Sequence, residues 1–252
     1  MTDNLLNIYG TADDIEAAGT DLAVIAVGSI EQHGPHLPVV TDWVIADAVG
    51  KGTARATGAF YIPALPVSTC REHMGKRGSV WMGPDTFYHM IKDICASLKE
   101  QGFKRVGIIQ AHGGIFIMTP TIREINASNA PDFMVAVIDT GDYSASLRNE
   151  GIVESEAELH AGEIETSLML SLIPELVNMD KAIDFIPDVP RSYLNYGSLL
   201  RYCPDGVWGE PTKSSAAKGA RILDFLVRRC TADMLAIFDM MAAKKKLGYS
   251  WF

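Results

Sequence analysis

The chain is short of positive charge. It has 22 Lys and Arg against 31 Asp and Glu, a formal net charge of −9. A general nucleic-acid binder carries a basic patch or stripe. Here the only basic cluster is Lys244, Lys245 and Lys246, at the end of a predicted helix, where cations complement the helix dipole. Nucleic acid is excluded as a partner on that ground. Cysteine is scarce too. Cys70, Cys95, Cys203 and Cys230 are far apart, with no C-x-x-C pair, which excludes a zinc ribbon and a redox dithiol. Cys95 and Cys230 fall on apolar helix positions and read as core thiols. The opening MTDNLLNIYG lacks a basic segment leading into an apolar one, so no secretory signal is expected. No apolar stretch reaches membrane-spanning length. A reducing cytoplasm and no membrane partner fit these absences. No Gly/Ser tract, Pro-rich run or charge block divides the chain, so a single domain over 1–252 is expected. There is no G-x-S-x-G, no G-x-G-x-x-G after the first strand and no P-loop. Serine catalysis, dinucleotide binding and nucleotide hydrolysis each lack their main feature.

What is present is an alternation of apolar strands with helices. Residues 11–19 read as a short polar helix. DLAVIAVG (21–28) is a buried strand, followed by a Gly/Pro/His-rich loop over 29–41. Asp42 opens a helix to about Thr57 and is a candidate N-cap. Strands follow at 59–67, 105–110 and 133–139, with helices from Pro84 to Gly102 and over 115–126 between them. A further helix begins near His160 and runs to Leu172. Residues 174–211 are irregular, with five prolines, and a long amphipathic helix closes the chain from Thr212. Uniformly apolar strands at βαβ spacing predict an α/β fold, three layers αβα around a mostly parallel sheet. Ligands in such folds bind at the carboxyl ends of the strands. The loops 29–42 and 111–115 both follow strands and therefore share that edge.

Three constellations could carry chemistry. In Gly28-Ser-Ile-Glu31-Gln-His33-Gly-Pro-His36, Glu31 and His33 are two apart and point to one side of an extended chain. Asp42 adds a second carboxylate. Two carboxylates and an imidazole attract a borderline divalent ion: zinc, manganese or iron. In Gln110-Ala-His112-Gly-Gly, an imidazole at a strand tip precedes two glycines that allow a sharp turn. In His160-Ala-Gly-Glu163-Ile-Glu165-Thr-Ser, His160 precedes a helix, and the two glutamates could serve the helix dipole alone. His36 is a candidate outer-layer group. His73 lies in the loop after the second strand, on the same edge. His89 reads as a surface residue. The four tryptophans, Trp43, Trp81, Trp208 and Trp251, could be core, but Trp43 and Trp208 could instead wall a pocket.

These motifs together resemble the creatininase family of amidohydrolases. The run from Gly28 to Pro38 with Asp42 matches its first motif, Ala-His112-Gly-Gly its second, and His160-Ala-Gly-Glu-Ile-Glu165-Thr-Ser its third. The resemblance implies an α/β fold, usually two divalent metals per subunit, and a homo-oligomer, often a hexamer. It implies that Glu31, Asp42 and His112 hold one metal, and that His33 and Asp42 hold the other, with Asp42 as the bridge. Creatininase proper adds a glutamate two residues after the strand-tip histidine. That place is Gly114 here, so Glu165 is the implied substitute and Glu163 the alternative. His160 matches the catalytic histidine. Gln110-Ala111 and Ile115 depart from the family pattern, and no tryptophan lies between 82 and 207, which argues against creatinine itself. The reading implied is a metal-dependent hydrolase of a small cyclic amide or formamide. Two alternatives stay open: C–C hydrolysis of a cyclic diketone derived from an inositol-type polyol, and a non-catalytic metal or small-molecule binding protein.

Overall fold

Every residue of Leu22–Val27 (β1) is apolar and buried, because this strand lies inside a sheet covered on both faces. The computed structural model describes residues 5–246, and side chains as far as residue 243. Trp251 lies outside the described residues, as do the side chains of Lys244, Lys245 and Lys246. The sheet has four strands: β1, β2 (Phe60–Leu65), β3 (Arg105–Gln110) and β4 (Met134–Asp139), in the order β2-β1-β3-β4. All neighbours are parallel. Val27 pairs with Gln110, and Gln110 with Asp139, so three strands end level at one edge.

The period-two alternation of side chains divides β1 between two cores. Val24 and Ala26 pack with α2 (Thr41–Thr57) and α7 (Ala216–Lys246), through Ile45, Val49, Phe225 and Met234. Ala23, Ile25 and Val27 pack with α3 (Pro84–Glu100) and α4 (Met118–Asn129), through Phe87, Ile91, Met118 and Ile122. The result is the expected three-layer αβα arrangement. Cys95 and Cys230 are core thiols as expected, and His89 is exposed.

Some boundaries differ. The chain turns through residues 113–117 before α4, so that helix starts and ends about three residues later than its apolar spacing indicates. The closing helix begins at Ala216 rather than Thr212, because Pro211–Lys213 forms a 3-10 turn. The short polar helix is α1, Ala12–Ala18, and a brief α5, Ser144–Asn149, follows β4. The third-motif helix, α6, is Glu163–Leu172, leaving His160 in the loop before it. Asp42 is not an N-cap. Val40 holds that place with no side-chain cap, and Asp42 sits in the first turn of α2 with its carboxylate turned to the strand edge. The segment 174–211 is a string of short 3-10 turns pinned by a small cluster of Leu199, Cys203 and Trp208.

Candidate metal centre

The site is assembled where β1, β2 and β3 end. After Val27 the chain passes so close to α2 that a Cβ at Gly28 would lie 2.6 Å from the backbone of Asp42 and Trp43. That contact brings the first turn of α2 against the loop from Ser29 to His33. Ser29 Oγ then lies between the two carboxylates, 2.6 Å from Glu31 Oε2 and 3.0 Å from Asp42 Oδ2, with its one proton shared between them. His33 Nδ1 donates to the carbonyl of Glu31 at 3.0 Å, which turns its Nε2 inward, 2.9 Å from Asp42 Oδ1. From the tip of β3, His112 Nδ1 stands 3.2 Å from Glu31 Oε2 and 3.1 Å from Asp42 Oδ2.

The third motif approaches from the other side. Ala161 adopts a left-handed backbone, φ 51°, a conformation costing an L-residue about 1–2 kcal/mol. The turn is held by Ala161 N, which donates to Glu165 Oε2 at 2.5 Å, and by Trp208, whose backbone bridges that of His160. His160 and Glu165 thereby face one way. Glu165 Oε2 is 3.7 Å from His33 Nε2, and His160 Nδ1 is 3.7 Å from Glu31 Oε1. His160 Nε2 lies 2.7 Å from the carbonyl of Gln32.

All six sequence-predicted residues therefore meet. Their donor atoms fall into compact groups: Glu31, Asp42 and His112; His33, His160 and Glu165; and Glu31 with His73 and His160, each within 4.8 Å. Glu163 does not join them. Its Oε2 accepts from the backbone of Glu154 and Ser155, and its Oε1 pairs with Lys218. It faces away and ties α6 to α7. His36 is buried against Thr166 Oγ1, at 2.9 Å. Trp43 donates to the carbonyl of Ala64, and Trp208 braces His160 by its backbone. Neither lines the cavity, which is bounded by the site residues other than His33, with Glu72, Phe116, Leu159 and Arg191. Ser29, Gln32 and Glu72 carried no signal in the sequence beyond their nearness to the motifs. His73 was placed only on the right edge.

The electrostatics describe a cage for a cation. Burial raises the Glu31 carboxyl above its usual range, and Asp42 adds to the shift, against the opposing pull of His112 and His33. Burial would also raise Asp42, but His33 and His112 outweigh it and hold that carboxyl low. Burial would lower His33, yet Asp42, Glu165 and Glu31 lift it to about 10. His112 is raised for the same reason, with Glu31 the main attraction. Burial and neighbouring cations hold His73 and His160 neutral. Glu31 Oε1 is buried without a hydrogen bond, although His73 Nε2 stands 3.1 Å away. Mixed carboxylate and imidazole donors around an unsatisfied buried oxygen fit a zinc-, manganese- or iron-like ion.

Comparison with known proteins identifies the family. The family model described as creatininase, creatinine amidohydrolase, matches residues 9–234. Creatinine amidohydrolase of Pseudomonas putida is 30% identical over 229 residues, covering 84% of this chain and 88% of the relative. The 3-dehydro-scyllo-inosose hydrolase of Thermotoga maritima is 27% identical over 265 residues, covering 90% and 84%. A solved structure, creatininase in a manganese form, superposes with TM-score 0.78 at 24% identity, covering 93% of this chain and 99% of its own. The chain belongs to the creatininase family and is a hydrolase of that family.

Proposed function

We propose that Glu31, His33, Asp42, His112 and Glu165 hold two divalent ions, zinc, manganese or iron, and that the site hydrolyses a small cyclic amide or formamide. The observation that carries this reading is Asp42. One carboxylate oxygen faces His33 and the other faces His112, as a bridging ligand between two positions requires. A divalent ion bound there supplies a water nucleophile near neutral pH and polarises a carbonyl. The protein's own part is orientation and proton transfer. Ser29 fixes both carboxylates. The Gln32 carbonyl accepts the Nε2–H of His160, which leaves Nδ1 free on the cavity side. Because burial keeps this imidazole neutral, it can take a proton from the nucleophile and give it to the leaving nitrogen.

A second reading has support in the cavity's lining. No tryptophan lines it among the described residues, and Glu72, Glu165 and Arg191 are among its walls. These charged groups, set among Phe116, Leu159, Leu194 and Leu199, offer hydrogen-bond partners that an oxygen-rich ring can use and a flat apolar one cannot. That favours C–C hydrolysis of a cyclic diketone derived from an inositol-type polyol, the kind of substrate named for the Thermotoga relative. Metal analysis followed by assay of cyclic amides, formamides and polyol-derived diketones, with and without chelator, tests both. Turnover of one class that chelator abolishes is expected. Purified protein with tightly bound metal and no turnover of any class would favour the non-catalytic binding role instead.

The site lies on one sheet shared by both cores, which supports residues 1–252 acting as one domain. Among the described residues no helix is long and apolar enough to cross a membrane. Tyr9, Phe116 and Tyr196 are large exposed apolar side chains, which supports a homo-oligomer, a hexamer by family resemblance. Sedimentation as a stable monomer at micromolar concentration would overturn that.

A further inference from the structure

Glu72 has appeared above only as part of the cavity wall. It lies in the 3-10 turn Arg71–His73 that follows β2, and it belongs to none of the three compact donor groups. Its carboxylate reaches the outer edge of His112. The ring's Nδ1 faces Glu31 and Asp42. Its Nε2, on the opposite edge, stands 3.0 Å from the carbonyl of Thr69 and 3.3 Å from Glu72 Oε1. The room for this approach comes from Gly114. A Cβ there would fall 1.5 Å from Glu72 Oε1 and 2.4 Å from His112 Nε2. Any side chain at 114 would expel the Glu72 carboxylate from its place beside the ring.

We propose that Glu72 is a positioning residue for His112, and the proposal rests on the metal reading of the site. The Nε2–H of His112 is shared between the Thr69 carbonyl and the Glu72 carboxylate. With that proton held outside, Nδ1 keeps its lone pair toward Glu31 and Asp42, the tautomer a ligand needs. The Thr69 carbonyl alone would orient the ring. Glu72 contributes a negative charge, which makes the imidazole a stronger donor than a backbone carbonyl partner can. Carboxylates in this relation to a ligating histidine typically change metal affinity by about 10–100-fold.

The test uses the full-length metal-loaded protein. Zinc affinity is measured by competition with a chromogenic chelator for wild type, Glu72→Gln, Glu72→Asp and Asp42→Ala, and the cobalt-substituted visible spectrum is recorded for each. Glu72→Gln keeps the shape and removes the charge. It is expected to bind zinc about 10–100-fold more weakly, with a shifted cobalt spectrum and unchanged stoichiometry. Glu72→Asp keeps the charge and is expected to regain part of the loss. Wild-type affinity and spectrum in Glu72→Gln would overturn the proposal, while loss of metal in Asp42→Ala left the site reading intact. Loss of stoichiometric zinc in Glu72→Gln would make Glu72 a ligand and also overturn a positioning role. Wild-type affinity in Asp42→Ala would instead bring down the metal reading beneath it.

Discussion

The two ends of the sheet are built from the same four strands and differ in everything attached to them. At the amino ends the joins are tight. The backbone nitrogens of Lys104 and Arg105 both donate to the carbonyl of Asp21, and the side chains of Asp21 and Arg105 pair in partial contact with solvent. At the carboxyl ends the loops and the first turn of α2 bring together Glu31, His33, Asp42, His112 and His160, all buried. A buried charge costs several kcal/mol unless it is compensated. Only one end of the sheet bears that cost, and there the imidazoles supply the compensation. Buried charge is concentrated at one edge and solvent-screened pairing at the other, so substitutions at the two edges should differ in effect.

The largest contrast is expected at Asp42. Asp42→Ala removes the carboxylate that faces both imidazoles and should abolish stoichiometric metal, read by elemental analysis, together with turnover. Full occupancy in that variant would mean the carboxyl edge is a hydrogen-bonded polar cluster and not a metal cage. Next come the two residues of the third motif, which should separate. Glu165→Gln replaces a carboxylate by a poor ligand and should weaken metal binding. His160→Ala should keep metal while turnover falls by about 10²–10⁴-fold, the range for a general acid–base group. His160 also stands within ligand range of His33 and Glu165. If His160→Ala loses the metal and Glu165→Gln keeps it, the two roles are exchanged.

The parts of this site that were readable in the sequence are those set by strand and helix placement. Glu31, His33 and His112 follow strands, and the rule that such loops share an edge brings them together. What was not readable depends on where a side chain points. Asp42 was legible as a second carboxylate of the site, but its place at the helix start also marked it as a cap, and only that second reading fails. The close approach at Gly28 gives its carboxylate other partners, Ser29, His33 and His112. Glu163 and Glu165 are equivalent by pattern. They part because Lys218, more than fifty positions away, takes Glu163, whereas the left-handed turn at Ala161 directs Glu165 inward. Glu72 is invisible without Gly114, since neither residue type alone marks a contact between two loops. The segment 174–211 offers no periodicity to read, and its Trp208 acts through its backbone.

A smaller effect should come from the hinge between strand and helix. Gly28→Ala puts a methyl group against backbone atoms of Asp42 and Trp43, which cannot rotate away. Overpacking of this kind costs about 1–3 kcal/mol, visible as a lowered thermal midpoint. Because the displaced atoms belong to the first turn of α2, metal affinity should fall with it. A loss of stability with unchanged affinity would show that Asp42 is held by Ser29 and the imidazoles and not by the helix approach.

The smallest effect is expected at the opposite edge. Asp21 and Arg105 approach to 2.5 Å, but their side chains are 42% and 32% exposed, so solvent screens the pair. Exposed pairs contribute about 0–1 kcal/mol, and the Asp21→Ala variant should lose no more than that. The backbone carbonyl of Asp21, which receives the nitrogens of Lys104 and Arg105, survives the substitution. The join between β1 and β3 therefore keeps its register, and the level ends of the strands at the far edge stay in place. Metal content and turnover should match wild type, and added salt should shrink what little stability difference there is. A measurable loss of metal in Asp21→Ala would mean that the two ends are mechanically coupled through the register of β1 against β3, and the division of labour between the edges would not hold.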